Sequence, residues 1–343
     1  MNDDPEFRAR ELSVLWHPYV LMYMMHVFFA IVFMHMSING TRALIAIMML
    51  SGLLWPVSAM IDQPLWGQDG TDGSDDLSPG SYLWWGTFVK WLIVNFCACV
   101  PVLVLKALKG PTRRQIHVCG CFVYFVLGAN IVWTVGLIKH QVVDWLNHVT
   151  AVFLTVSLIL HCWALRKHAC KDLFVMKHGF VYGYGTPFPW LICYTVWNVL
   201  FVAEISIGMT LQDILFWALM IGYRAMDTQR IPIEMYFAFA RPVQLGTYIA
   251  VSDWIGTFVP LLRNAGSLKH QQPLPVNANA YFLFIVLMNL GWSIVVTWWA
   301  GHRVIYGFDP NHLADVKFLR EDGDYCLEED GEDDDEDSED GDE

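Results

Sequence analysis

Lys90, Glu204 and Asp253 each fall inside a long apolar run, and so do the amides Asn130, Asn198 and Asn289. A charged side chain at the centre of a membrane helix costs about 3 kcal/mol, so such groups are kept for pairing or for function. One lysine with two carboxylates and three amides suits two tasks. As an outward-facing polar pocket, Lys90 would be the fixed charge, Glu204 and Asp253 would exchange protons or cations, and the amides would shape a site for a small solute or ion. Paired with one another, the same groups would only fix the packing of helices.

The stretch from Pro187 to Gly208 carries the densest pattern. Trp190, Trp197 and Glu204 recur every seventh residue, with Tyr194 and Phe201 between them and Asn198 alongside. That spacing puts them on one helix face. Trp84, Phe88, Trp91 and Asn95 form a similar stripe.

These residues must be positioned by membrane helices. The chain has 343 residues, 55% hydrophobic and only 16% charged, against about 25% charged in soluble domains. Nine spans are expected: Val14–Met36, Thr41–Ile61, Tyr82–Leu108, Ile116–Ile138, Leu146–Leu165, Pro187–Gly208, the short Leu211–Tyr223, Pro232–Leu262 interrupted at Arg241-Pro242, and Ala280–Tyr306. If Leu211–Tyr223 does not cross, the count is eight. Arg166 to Thr186 reads as a basic loop that turns Gly- and Tyr-rich. Asp213 is expected at the outer mouth of the pocket and Arg224 at the inner one.

Loop charge sets the orientation. With the N-terminus outside, fourteen Lys and Arg lie inside and five outside, as the positive-inside rule asks. At ~1.5 Å per residue, Lys90, Asn130, Asp253 and Asn289 then reach similar depths in the outer half, with Glu204 a little higher and Asn198 a little lower. Residues 1–13 form an N-terminal segment, 14–306 the transmembrane domain and 307–343 a cytosolic tail. The net charge of −13 arises in that tail: residues 321–343 hold sixteen acids and no base, and the rest carries 21 bases against 18 acids. So dense a run of like charge is expected to be disordered.

Other chemistries find less support. The eight cysteines do not pattern as a disulfide framework, and those inside apolar runs read as small hydrophobes. Cys119-Gly-Cys121 lacks a second ligand pair for a metal. His148 and His161 are thirteen apart, the spacing of a b-type haem pair on one helix. A second helix with that spacing is missing, since His17, His26 and His35 are nine apart. Haem binding is a minor alternative, and no cofactor or metal is expected. No retinal lysine lies in the last span. No nucleotide loop, hydrolase elbow or H-E-x-x-H site occurs, so an enzyme is not expected. The basic patches are too small for nucleic acid.

The two aromatic stripes, WWGTFVKW at Trp84–Trp91 and WLICYTVWNVLFV at Trp190–Val202, resemble a family of uncharacterised multi-pass membrane proteins, a domain of unknown function most familiar from bacteria. Tyr194, Trp197, Asn198 and Phe201 carry the resemblance most sharply, and it runs from about Tyr82 to Leu262. The family would have an acid just after the tyrosine, where this chain has Thr195. The resemblance implies a polytopic architecture and no activity. The reading is therefore an all-α polytopic helical bundle with about nine spans. Its partners are the bilayer and a small solute or ion. The competing role is a structural or assembly subunit of a membrane complex.

Overall fold

The computed structural model describes residues 18–50, 92–108, 110–133, 142–168, 172–177, 179–205, 210–228, 231–249 and 280–308. The Trp84–Trp91 stripe, Lys90, Asp253, the N-terminal segment and the acidic tail beyond residue 308 lie outside them. The described residues are mostly helical. The helices are α1 (Pro18–Asn39), α2 (Thr41–Leu50), α3 (Val94–Ala107), α4 (Arg113–Trp133), α5 (Val142–His168), α6 (Phe188–Ile205), α7 (Thr210–Met226), α8 (Phe237–Ile249) and α9 (Ala280–Tyr306). Three of them, α4, α5 and α9, are long and apolar enough to cross a membrane. Their outward faces carry Phe125, Ile159, Phe284, Met288 and Trp298, all exposed. Large apolar side chains turned outward suit lipid better than water.

α6 packs on α5, α7 and α9, while α8 packs on α1, α3 and α7, and α5 lies along α9. The aromatic stripe on α6 supplies close packing between these helices. Trp190 stacks on Tyr194 at 5.1 Å, Trp197 stacks on Phe201 at 5.9 Å, and Phe237 of α8 meets Tyr194 edge-on at 5.9 Å. Each such pair adds about 1 kcal/mol beyond its buried area.

One departure from the expected all-α architecture stands in the basic loop. α5 continues to His168, and the chain then forms an antiparallel hairpin, β1 (Phe174–Lys177) and β2 (Phe180–Gly183). Lys177 pairs Phe180 across a two-residue turn whose second residue, Gly179, has φ 84°, a conformation glycine adopts freely. The hairpin is buried. Phe180 meets Tyr223, Tyr236 and Phe239 edge-on at 5.8–5.9 Å, and so closes one end of the bundle. There Asp227 accepts hydrogen bonds from the Tyr182 and Tyr236 hydroxyls, the latter at 2.7 Å. At the same end Lys106 Nζ donates to the carbonyls of Ser37 (2.5 Å) and Ile38 (2.8 Å), which fills acceptors that the last turn of α1 leaves open.

Two prolines shape helices without ending them. Pro101 has no N–H to donate, and the turn before it, Val94–Cys99, widens into a π-helix. Arg241-Pro242, expected to interrupt its span, instead lies inside α8, which runs unbroken after the 3₁₀ turn Ile233–Tyr236. α7 extends the apolar Leu211–Tyr223 segment to 17 residues.

Candidate functional site

Ring stacking holds α6 so that Tyr194 and Asn198, four residues apart, face α7 and α8. Asn198 Nδ2 donates to Asp213 Oδ1 across 2.6 Å. Arg241 donates through one Nη to the Tyr194 hydroxyl at 2.8 Å and through the other to Gln244 Oε1 at 2.7 Å. Its guanidinium lies 5.7 Å from the Tyr194 ring centre and 5.9 Å from that of Phe216, within cation–π range. Arg241 acts electrostatically on both Asp213 and Tyr194. Three helices thus contribute one carboxylate, one guanidinium, two amides and a phenol to a single cluster.

The accounting at Asp213 is incomplete. The residue has no exposed surface, and its Oδ2 has no hydrogen-bond partner among the described residues. A buried carboxylate oxygen left so forgoes a charge-assisted bond, and most such groups in folded proteins are satisfied. Its chemistry is that of a hydrogen-bond acceptor. Asp213, expected at the outer mouth of the pocket, is buried and bonded to Asn198. Arg224 is exposed.

The six residues singled out by sequence fall as follows. Asn198 belongs to this cluster. Asn289, on α9, donates to the Cys193 carbonyl at 3.2 Å, and Cys193 Sγ returns a bond to the Asn289 carbonyl at 3.6 Å. That reciprocal clasp joins α6 to α9 on another face of α6. Asn130 stands near the end of α4, its Oδ1 without a partner among the described residues. Glu204 lies in the last turn of α6. Lys90 and Asp253 lie outside the described residues.

Sequence reasoning missed Arg241 as a site residue, because the proline beside it drew attention as a helix break. It also missed Asp144 and Asn147 in the first turns of α5. Asp144 is buried with neither carboxylate oxygen hydrogen-bonded among the described residues. Asn147 donates to the Trp197 carbonyl at 3.2 Å, and its own oxygen has no partner among the described residues. Their signal was spacing: Asp144, Asn147 and His148 share a face. Thr195 binds the α6–α7 contact, its Oγ1 accepting from Trp217 Nε1 at 2.9 Å. The histidines of the haem alternative each meet a protein group. His148 Nδ1 is 2.6 Å from the Asp144 carbonyl, and His161 stacks on Trp299 at 5.9 Å. No group of three or more metal-ligating side chains occurs among the described residues.

No family model, no curated protein and no solved structure matches the chain.

Proposed function

We propose that the protein binds and moves a small solute or ion across a membrane, with the Asp213–Arg241 cluster where α6, α7 and α8 meet as its binding centre. The observation that carries this reading is Asp213 Oδ2, wholly buried and without a hydrogen-bond partner among the described residues. Arg241 is the fixed charge, held by Tyr194 and Gln244. Asp213 is the exchangeable acceptor, and Asn198 orients it. Such an arrangement favours a cation or an amine that donates to the free oxygen. Lys90, Asn130, Glu204, Asp253 and Asn289 complete the proposed polar layer.

The proposal includes nine spans, the N-terminus outside and the acidic tail in the cytosol. The fourteen-to-five bias of basic residues supports that orientation. Membership of the uncharacterised multi-pass family rests on WWGTFVKW and WLICYTVWNVLFV and would add architecture only. The competing reading is a structural subunit, favoured by the Asn289–Cys193 clasp that joins α6 to α9.

The test is tracer flux in proteoliposomes, with Na⁺, K⁺ and methylammonium as probes and an internal dye for protons. Wild type is expected to carry at least one probe, and Asp213→Asn, eluting as the same monodisperse species, is expected to lose it. Silence of wild type toward all probes, or equal flux in both, would count against transport at Asp213.

A further inference from the structure

A cleft of about 610 Å³ lies between α4 and α5, away from the cluster shared by α6, α7 and α8. The two helices touch where Gly128 meets Thr155 and Leu158, a Cβ at Gly128 standing 3.5 Å and 4.0 Å from their methyl carbons. Toward the hairpin they diverge. Leu173, just before β1, sits against Gly120 and forms part of the cleft lining. The walls are apolar and outward-facing: Phe125, Ile159 and Trp163 are all more than half exposed. Only at the hairpin end does charge appear, with Arg166 and Lys167.

Three features select the occupant. First, the cleft follows α5 from Leu158 to Arg166, about 12 Å of helix, close to one leaflet of a ~30 Å hydrocarbon core. Second, its charge is of one sign. The nearby carboxylate, Asp172, is already taken up by Arg113 at 2.9 Å and His117 at 3.2 Å. Third, Arg166 is exposed and has no hydrogen-bond or ion-pair partner among the described residues, while Lys167 reaches the Val304 carbonyl at 3.2 Å and keeps two N–H donors to offer. An apolar trough with two cations at its membrane-surface end matches an anionic phospholipid.

We infer that this cleft is a binding site for an anionic phospholipid of the bilayer, one acyl chain lying along Phe125, Ile159 and Trp163 and the phosphate at Arg166 and Lys167. A fork of guanidinium N–H groups suits phosphate oxygens. Binding would brace α4 against α5 where the hairpin holds them apart. The site is independent of solute movement at Asp213 and requires only that the chain sit in a membrane.

The experiment is native mass spectrometry of the full chain in mild detergent, titrated with phosphatidylglycerol or phosphatidylcholine of equal chain length. Wild type is expected to retain phosphatidylglycerol roughly tenfold better. The double variant Arg166→Gln/Lys167→Gln should bind both lipids equally. Ile159→Trp, which fills the trough and leaves the charges, should weaken both, and it keeps the test decisive where the double variant does not fold. Equal retention of both lipids by wild type would overturn the inference. So would displacement of phosphatidylglycerol by inorganic phosphate, which marks an anion site without a lipid chain.

Discussion

The Arg241 guanidinium donates to the Tyr194 hydroxyl across 2.8 Å, tying the polar centre of α8 to the aromatic stripe of α6. The bond gives the charge a fixed place within electrostatic reach of Asp213. It also explains why Tyr194 is a tyrosine in a face otherwise filled by tryptophan and phenylalanine. A ring alone would pack, but the hydroxyl is needed as an acceptor.

Arg241→Met should therefore destabilise the fold, because it removes a positive charge that acts on Asp213 and the bonds to Tyr194 and Gln244, a hydrogen bond from a charged donor contributing about 2 kcal/mol. Arg241→Lys should rescue only part of this, because an ammonium lacks the fork that reaches Tyr194 and Gln244 together. Arg241→Met/Asp213→Asn should be more stable than Arg241→Met alone. Thermal melts of the three variants check the order.

The hairpin gives a contrast between glycines. A Cβ at Gly183 would come within 2.6 Å of the Tyr124 hydroxyl, and one at Gly185 closer still to the same ring, whose hydroxyl accepts from Gly185 N at 2.8 Å. At Gly291 nothing lies within 4 Å. Gly185→Ala should lower the melting temperature clearly, and Gly291→Ala should hold or raise it, since alanine is the better helix former by about 1 kcal/mol. Equal effects would mean that Tyr124 yields easily.

Alkaline pH should loosen the same end. Burial, and then the hydrogen bond to Asp227, hold the Tyr182 hydroxyl well above its ordinary value of 10.0. A folded value raised above the unfolded one gives stability that is whole below pH ~10 and lost as pH climbs toward the folded value. Wild type should lose stability above pH ~10. Tyr182→Phe, less stable at neutral pH, should lose less. Parallel melting curves for the two would exclude Tyr182 as the source.

Lys106→Met should free the carbonyls of Ser37 and Ile38 at the end of α1. Hydrogen bonds to a charged donor contribute about 2 kcal/mol each. Hydrogen exchange in the Ser37–Asn39 turn should quicken, with the α6 core unchanged. Unchanged exchange at that turn would show that water replaces the ammonium without loss.

The mostly helical frame was legible because long apolar runs announce helices by length and apolarity. Ala280–Tyr306 kept both its bounds, and the seven-residue period on α6 put Trp190, Tyr194 and Trp197 on one buried face. The hairpin was not legible. Its strands are four residues each, too short for alternation to stand out, and only the glycine of its turn gave a cue. The cluster at Asp213 was half legible. Asn198 stood out as an amide on an aromatic stripe, but its partner lies 15 residues on, across a helix boundary that periodicity cannot bridge. Pro242 misled for a physical reason. A proline inside a helix removes one i→i−4 hydrogen bond, here the one to the Ala238 carbonyl, and α8 runs on to Ile249 in spite of it.

The measurement that tests the central claim most directly is a thermal-shift series on purified wild type and Asp213→Asn against Na⁺, K⁺, Ca²⁺, methylammonium and choline, across pH. A ligand that binds only the folded protein raises its stability by about 2.7 kcal/mol at a hundred times its dissociation constant. The expected result is that one probe stabilises wild type in a concentration-dependent way and leaves Asp213→Asn, which still melts cooperatively, unmoved. The contradicting result is that no probe moves wild type while Asp213→Asn simply melts lower, which would make Asp213 a packing residue and the protein a structural subunit.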